Sequence, residues 1–315
     1  MLPMQNSQIT ARGVRGLILA ALDTGNNSWI DRVAMRMSSD QAIETYAWLG
    51  SSPAMREFIA GRQPAELKEN SFQISNKDYE TSLKVLLKDM RRDKLGMIQM
   101  RVNQLADRAM DHPAKLLSNL LVAGEATTCY DGQYFFDTDH SDGDSGTLSN
   151  SITYNSTAAS VPTTAPTTDV MGEAILKSIQ QMYGFKDDKG EPINQSARDF
   201  TVMVPTPFMG VALKATTAIL GTGGVSATLP SLSQYFNITV VPNARLNSWT
   251  TKFVTLRTDE AAKPFILQEE GPMDVMALGE GSEYAQLNKE CLFGIDWSGN
   301  VGYAWWQHAC LTTFV

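Results

Sequence analysis

Gly143-Asp144-Ser145-Gly146 imitates the segment around a nucleophilic serine. Such a serine needs a histidine base held by a buried acid, and two N–H donors for the oxyanion. The available bases, His112 and His140, sit in no sequence that marks one, and the segment lies in a Ser/Thr-rich stretch. A solvated Asp-Gly turn is therefore expected, with Ser145 inert. Asp137, Asp139, Asp142 and Asp144, with His140 among them, could hold a hard cation. The turn glycine and terminal Glu of a calcium loop are out of place, so a solvated acidic loop or an intersubunit partner is expected instead. Gly221-Thr222-Gly223-Gly224 lacks the Lys-Ser/Thr that completes a phosphate loop. The histidines at 112, 140 and 308 give no metal spacing. Cys129, Cys291 and Cys310 contain no CxxC, which excludes a disulfide framework or a Cys-rich zinc site and fits a reducing cytosol. No catalytic residue, cofactor or metal ligand is expected, and the protein is expected not to be an enzyme.

The rest of the sequence is that of a folded chain. Its 315 residues suggest about two domains, and 43% apolar with 19% charged residues excludes a wholly disordered protein. The formal net charge of −8 excludes a sequence-independent nucleic-acid binder with a basic face. Charge is uneven: residues 1–115 carry a net +3 and residues 116–315 a net −11. Opposite potentials at the two ends suit head-to-tail packing between copies. No segment reaches the ~20 apolar residues of a membrane span. Arg15 to Leu22 reads as one amphipathic helix ending near Gly25, since Asp23 closes the run and no signal-peptide cleavage site follows.

Periodicity gives the elements. Phe72 and Ile74, then Tyr79, Thr81, Leu83, Val85 and Leu87, alternate across Asn76-Lys77-Asp78, with Lys84 and Lys88 on the opposite face. This predicts a long projecting β-hairpin over about 54–90. Leu95, Ile98, Val102, Leu105 and Ala109 form one helical stripe behind a possible N-cap at Asp93. Pro113 kinks it, and Leu116, Leu117, Leu120 and Leu121 continue to a C-terminal glycine, Gly124. Thirteen of the 28 residues from Ser141 to Thr168 are Ser or Thr, which reads as an extended surface loop. Beyond it come a helix over 169–183 capped by Thr168 or Asp169, a strand at 200–204, a helix opened by Thr206-Pro207, and strands at 236–241 and 252–256. Cys291 to Trp297 and Val301 to Trp305 read as a hairpin turning at Ser298-Gly299-Asn300.

Several stretches together resemble the major head subunit family of phage Mu and Mu-like prophages. They are Tyr46-Ala47-Trp48-Leu49-Gly50 through Pro53-Ala54-Met55-Arg56-Glu57-Phe58, Asn76-Lys77-Asp78-Tyr79-Glu80, Asp131 through Phe135-Phe136 to His140, and Gly294 to His308 with its Trp305-Trp306-Gln307-His308. The resemblance implies the α+β, HK97-like capsid fold. Its parts would be an N-terminal arm (1–53), an extended loop hairpin (54–92), the spine helix of a peripheral domain (93–123), an axial domain (124–268) with a surface loop at 141–168, and return strands of the peripheral domain (269–315). It also implies a shell protein that assembles as hexamers and pentamers around double-stranded DNA in a virion, formed in a bacterial cytoplasm, with no membrane step. Expected partners are other copies of itself, a separate scaffolding protein, portal and decoration proteins, and non-specific DNA on the inner face. The separate scaffold is expected because the residues before the extended loop include Trp29, Tyr46 and Trp48, which suit packing rather than a disposable helical extension. Trp29, Trp48, Phe58, Phe72, Ile74, Tyr79, Lys77 and Lys84 are the expected assembly contacts. An encapsulin-like compartment is the alternative, and a hydrolase acting through Ser145 a more distant one.

Overall fold

The structure is a computed structural model that describes residues 11–24, 29–46, 72–92, 96–156, 161–217 and 235–315. The 14-residue strand β11 (Glu290–Tyr303) organises its first sheet. The first part of β11 lies between β10 (Asp274–Leu278) and β4 (Lys77–Leu86), antiparallel to both. Its last five residues pair with β9 (Phe265–Glu269), and β1 (Ala34–Ser38) runs parallel to β9 beyond. The hairpin turn expected at Ser298-Gly299-Asn300 is therefore absent. These residues continue the strand at the point where its partner changes, Ser298 facing Asp78 and Asn300 facing Gln268. Gly299 serves close approach rather than turning: a Cβ there would lie 2.5 Å from the Gln268 carbonyl oxygen and 2.6 Å from the Trp297 ring.

The alternation over 72–87 does give strands, but not two arms of one hairpin. β3 (Phe72–Ser75) pairs antiparallel with β2 (Ile43–Tyr46), bracketing residues 47–71, while β4 takes β11 as partner. Tyr46 donates to Gln268 Oε1 at 2.8 Å, and Gln268 donates to Asn76 Oδ1 at 2.6 Å, which ties the small β2–β3 pair to the first sheet.

The spine is two helices, α4 (Met97–Met110) and α5 (His112–Ala123), separated at Asp111, with Pro113 in the first turn of α5, where its missing N–H costs no helical bond. Ile98, Val102, Leu105 and Ala109 are buried along one stripe, whereas Asp93 and Leu95 lie outside the described residues. Gly124 follows α5 with ordinary helical angles, so it is no left-handed cap. A Cβ there would meet the Phe136 ring at 2.6 Å. Helix α1 (Ala11–Thr24) buries Val14 and Ile18 against the α4 stripe and against Val85, Val275, Phe293 and Ile295 of the sheet, forming a satellite core.

The second sheet has the order β5-β12-β8-β6-β7, formed by β5 (Ser151–Tyr154), β12 (Ala309–Phe314), β8 (Lys252–Arg257), β6 (Asp199–Val204) and β7 (Asn237–Pro242). The final strand thus belongs to this sheet, and β9 to the first, so the chain crosses between them more often than its linear order suggests. Helix α6 (Thr168–Tyr183) packs Ala174, Ile175, Ile179 and Met182 into the main core. The hydroxyl of Thr167, one residue earlier than expected, accepts from Val170 N. Pro207 lies in a 3-10 turn that leads into α7 (Met209–Thr217).

Among the described residues the Ser/Thr-rich stretch is largely at the surface, but it is anchored rather than free. Strand β5 pairs with β12, and Ser145, Asn150 and Ser156 are buried. Asn150 donates to Phe135 O at 2.7 Å and accepts from Asp137 N at 2.9 Å. Small polar side chains here satisfy buried backbone groups that a larger residue would crowd.

Candidate functional site

Ser145 sits in a 3-10 turn whose entry, Gly143, takes φ +57° while its Cα packs against Asp188, a place where a Cβ would meet the Asp188 oxygen at 2.3 Å. The Ser145 hydroxyl accepts from Asp142 N at 2.9 Å and donates to Gly146 O at 2.9 Å. It is 5% exposed, and both its bonds go to neighbouring backbone. That arrangement closes a turn and presents no nucleophile to solvent.

The four carboxylates of the acidic stretch do not form one set, although Asp139 shares a hydrogen bond with Asp137 that raises the Asp139 carboxyl. Asp137 accepts from Thr138 N and Tyr134 N, and Asp142 caps the 3-10 turn. Among the described residues the one convergent set of metal-ligating side chains is Cys129, Asp131 and His140, which no spacing rule in the sequence marks. Asp131 accepts from Cys129 Sγ at 3.0 Å, from Gln133 N at 3.1 Å and from His140 Nδ1 at 2.6 Å. Burial raises the Asp131 carboxyl, but the hydrogen bonds from His140 and Cys129 outweigh it and hold it below its ordinary range. Burial and the Asp131 charge push the Cys129 thiol well up.

The other two histidines lie apart from this cluster. His112 packs between Tyr79, at 4.2 Å between ring centroids, and Trp297, at 5.9 Å. His308 is buried beside Arg257 and Glu260. His308 is enclosed, whereas half-buried His112 borders a pocket that it shares with Glu80, Arg108 and Lys115.

The expected assembly contacts divide. Ile74 is buried and Phe72 half-buried within the subunit, both pressed against Gly302, where a Cβ would lie 2.3 Å from Ile74 Cδ1. They have partners inside the subunit because β3 folds back on the C-terminal end of β11. Trp29 packs against the main core, and Tyr79 stacks on Trp297. Lys77 and Lys84 are exposed on β4. Trp48 and Phe58 lie outside the described residues. The sequence reading did not pick out the apolar residues that do face solvent. They include Met97 and Met100 on the outer side of α4, Ile43 on β2, and Leu287, 75% exposed, on α8 (Glu283–Asn288). An open groove between α1, β1 and the α4–α5 junction is lined by Leu19, Leu22, Ile30, Met37, Pro113 and Trp297.

Known proteins match both the sequence and the fold. The family model of the Mu-like prophage major head subunit gpT matches residues 11–167 and 228–313. The Mu-like prophage FluMu major head subunit of Haemophilus influenzae is 35% identical over 108 residues, 34% of this chain and 35% of that protein. The major capsid protein of Escherichia phage Mu is 31% identical over 113 residues, 36% of this chain and 37% of that protein. The matched stretch thus spans about a third of the length of these curated relatives. In fold, the procapsid of bacteriophage JBD30 superposes with a TM-score of 0.56 at 23% identity, covering 99% of this chain and 76% of that one. The capsid of cyanophage P-SCSP1u gives 0.58 at 10% identity over 90% and 86% of the two chains. A virus-like particle from Pyrococcus furiosus gives 0.51 at 10% identity over 96% and 98%. The solved structures show the HK97-like capsid fold, and the sequence match, which runs through strands of both sheets, shows that the chain belongs to the Mu-like prophage major head subunit gpT family.

Proposed function

We propose that this chain is the major capsid protein of a tailed phage or prophage, assembling as hexamers and pentamers into an icosahedral shell around double-stranded DNA. The observation that carries this reading is the family match over both sheets of a shell-forming fold. A shell protein needs surfaces that close under symmetry rather than a catalyst. The exposed apolar residues on α4, β2 and α8 and the enclosed Ser145 agree with a structural, non-enzymatic role. The acidic stretch after residue 115 suits a wall that does not grip packaged DNA. A separate scaffold, a portal and decoration proteins would be its partners, and assembly would take place in the host cytoplasm without a membrane step.

The likeness to the Pyrococcus virus-like particle keeps an encapsulin-like compartment as the second reading. Negative-stain microscopy of the purified protein separates the two. Capsomers or large shells that take up DNA are expected, small shells holding protein cargo favour the compartment, and a stable single subunit at high concentration overturns both.

A further inference from the structure

We propose that Cys129, Asp131 and His140 form a binding site for a divalent ion of the zinc class, ligated by Cys129 Sγ, one Asp131 carboxylate oxygen and His140 Nδ1. The donor atoms lie within 4.8 Å of one another. The Asp131 and His140 side chains are 5% and 0% exposed. The backbone already holds them in place. Cys129 N donates to Gln133 O at 2.8 Å and Gly132 N to Cys129 O at 3.1 Å, a tight turn that sets the thiol beside the carboxylate. Leu148 N donates to His140 O at 2.8 Å, and the imidazole lies flat on Trp306, 4.0 Å between centroids at 8°. The backbone holds the three groups together, and to take an ion they would part slightly, since His140 Nδ1 and Asp131 Oδ2 now lie 2.6 Å apart in a hydrogen bond.

Charge accounting points to a cation. Asp131 is a buried carboxylate whose partners are a thiol, an imidazole and a backbone N–H, and among the described residues no Lys or Arg pairs with it. Among those residues the one side chain within reach that can act as its counter-ion is the His140 imidazole itself, at 2.6 Å, and a divalent ion would take over that place. A divalent ion would displace the thiol proton to solvent, and thiolate, carboxylate and dication would then sum to zero. The imidazole proton would pass from Nδ1 to Nε2, which is buried without a hydrogen-bond partner. A thiolate beside an imidazole and a carboxylate favours Zn2+ over Mg2+ or Ca2+. Solvent would fill the fourth position. The ion would fasten the turn after α5 to the 140–148 stretch and, through Trp306, to the start of β12.

Co2+ is the probe, added to untagged full-length protein after dialysis against a chelator. One equivalent per chain is expected, with a thiolate-to-cobalt absorption band in the near ultraviolet that Zn2+ abolishes. Cys129→Ser should lose the band and weaken binding by at least the ~100-fold that losing a mere outer partner can cause, while Cys291→Ala retains both. Zn2+ should also raise the melting temperature of the wild type and not of Cys129→Ser. Absence of the band in the wild type overturns the site even if the variant fails to fold, and unchanged binding in a folded Cys129→Ser overturns it equally.

Discussion

Burial, with Arg257 close by, holds the His308 imidazole down to about 4, although Glu260 lies 3.5 Å from Nε2. Glu260 is half exposed, so its attraction is screened and burial prevails. Nδ1 donates to Ala262 O at 3.1 Å, leaving a neutral ring that the fold requires. Because the folded value is depressed, the unfolded chain takes up a proton first as pH falls. Stability is full above ~6.5 and declines between there and about 4, by roughly 3 kcal/mol in total. Urea midpoints at pH 7 and pH 5 should therefore differ in the wild type, and much less in His308→Gln; equal slopes would remove His308 from this account. Ser145 is a second test at this scale. Ser145→Ala strips both hydroxyl bonds from a buried turn and should cost about 1 kcal/mol in a denaturant melt. The wild-type hydroxyl should resist labelling by a serine-reactive fluorophosphonate, and stoichiometric labelling would restore the hydrolase reading. The sequence could not show this burial, since Gly143-Asp144-Ser145-Gly146 has the local composition of an exposed turn and what covers it, Asp188, lies far along the chain.

Elements whose order comes from their own neighbours were legible. The α4 stripe and the α6 face follow from side-chain spacing, because each apolar residue is placed by a period of 3.6, and the strands expected at 200–204 and 252–256 are short, mostly apolar runs buried on both faces. Elements decided by distant partners were not. Ser298-Gly299-Asn300 reads as a turn, yet Lys77-Asp78 on one side and Gln268-Glu269 on the other hold it extended, and neither is visible in a short window. Cys129, Asp131 and His140 escaped for the same reason, their approach depending on the turn at Gly132 and the stack on Trp306. The β2–β3 pair gives a test of how far an element stands alone. Its anchors, Tyr46 to Gln268 and Asn76 to Gln268, lie at the base of residues 47–71 and not within them. Replacing 48–70 by a short Gly/Ser linker should leave a folded subunit with wild-type circular dichroism. Sedimentation should show that it no longer forms stable capsomers; intact capsomers from this variant would mean that 48–70 contribute nothing to assembly.

At the scale of the whole molecule, one main core joins the second sheet to β9, β1 and the last residues of β11, through Phe135, Phe265, Tyr303 and Trp306. The satellite core under α1 and α4 holds the other part of β11. The subunit is thus fixed internally by burial, which is large and non-directional. Between subunits the available terms are smaller. The +3 and −11 halves of the sequence are interleaved in the first sheet, where β1 and β4 pair with β9 and β11, so they form no two opposed ends, and charge between copies acts over only ~8 Å at physiological salt. Met97, Met100, Ile43 and Leu287 are exposed and would supply affinity on the proposed reading, and methionine adapts its shape to several packings. Curvature in a head-to-tail lattice is then poorly specified by the subunit, and several closures lie close in energy. Expressed alone, the protein should give capsomers, tubes and particles of mixed size, and a separate scaffolding protein should narrow the distribution to one. Electron microscopy of the protein produced without other phage components checks this. A single regular icosahedral size under those conditions would mean that the subunit encodes its own curvature, and the source would then have to be sought in contacts more directional than charge and methionine.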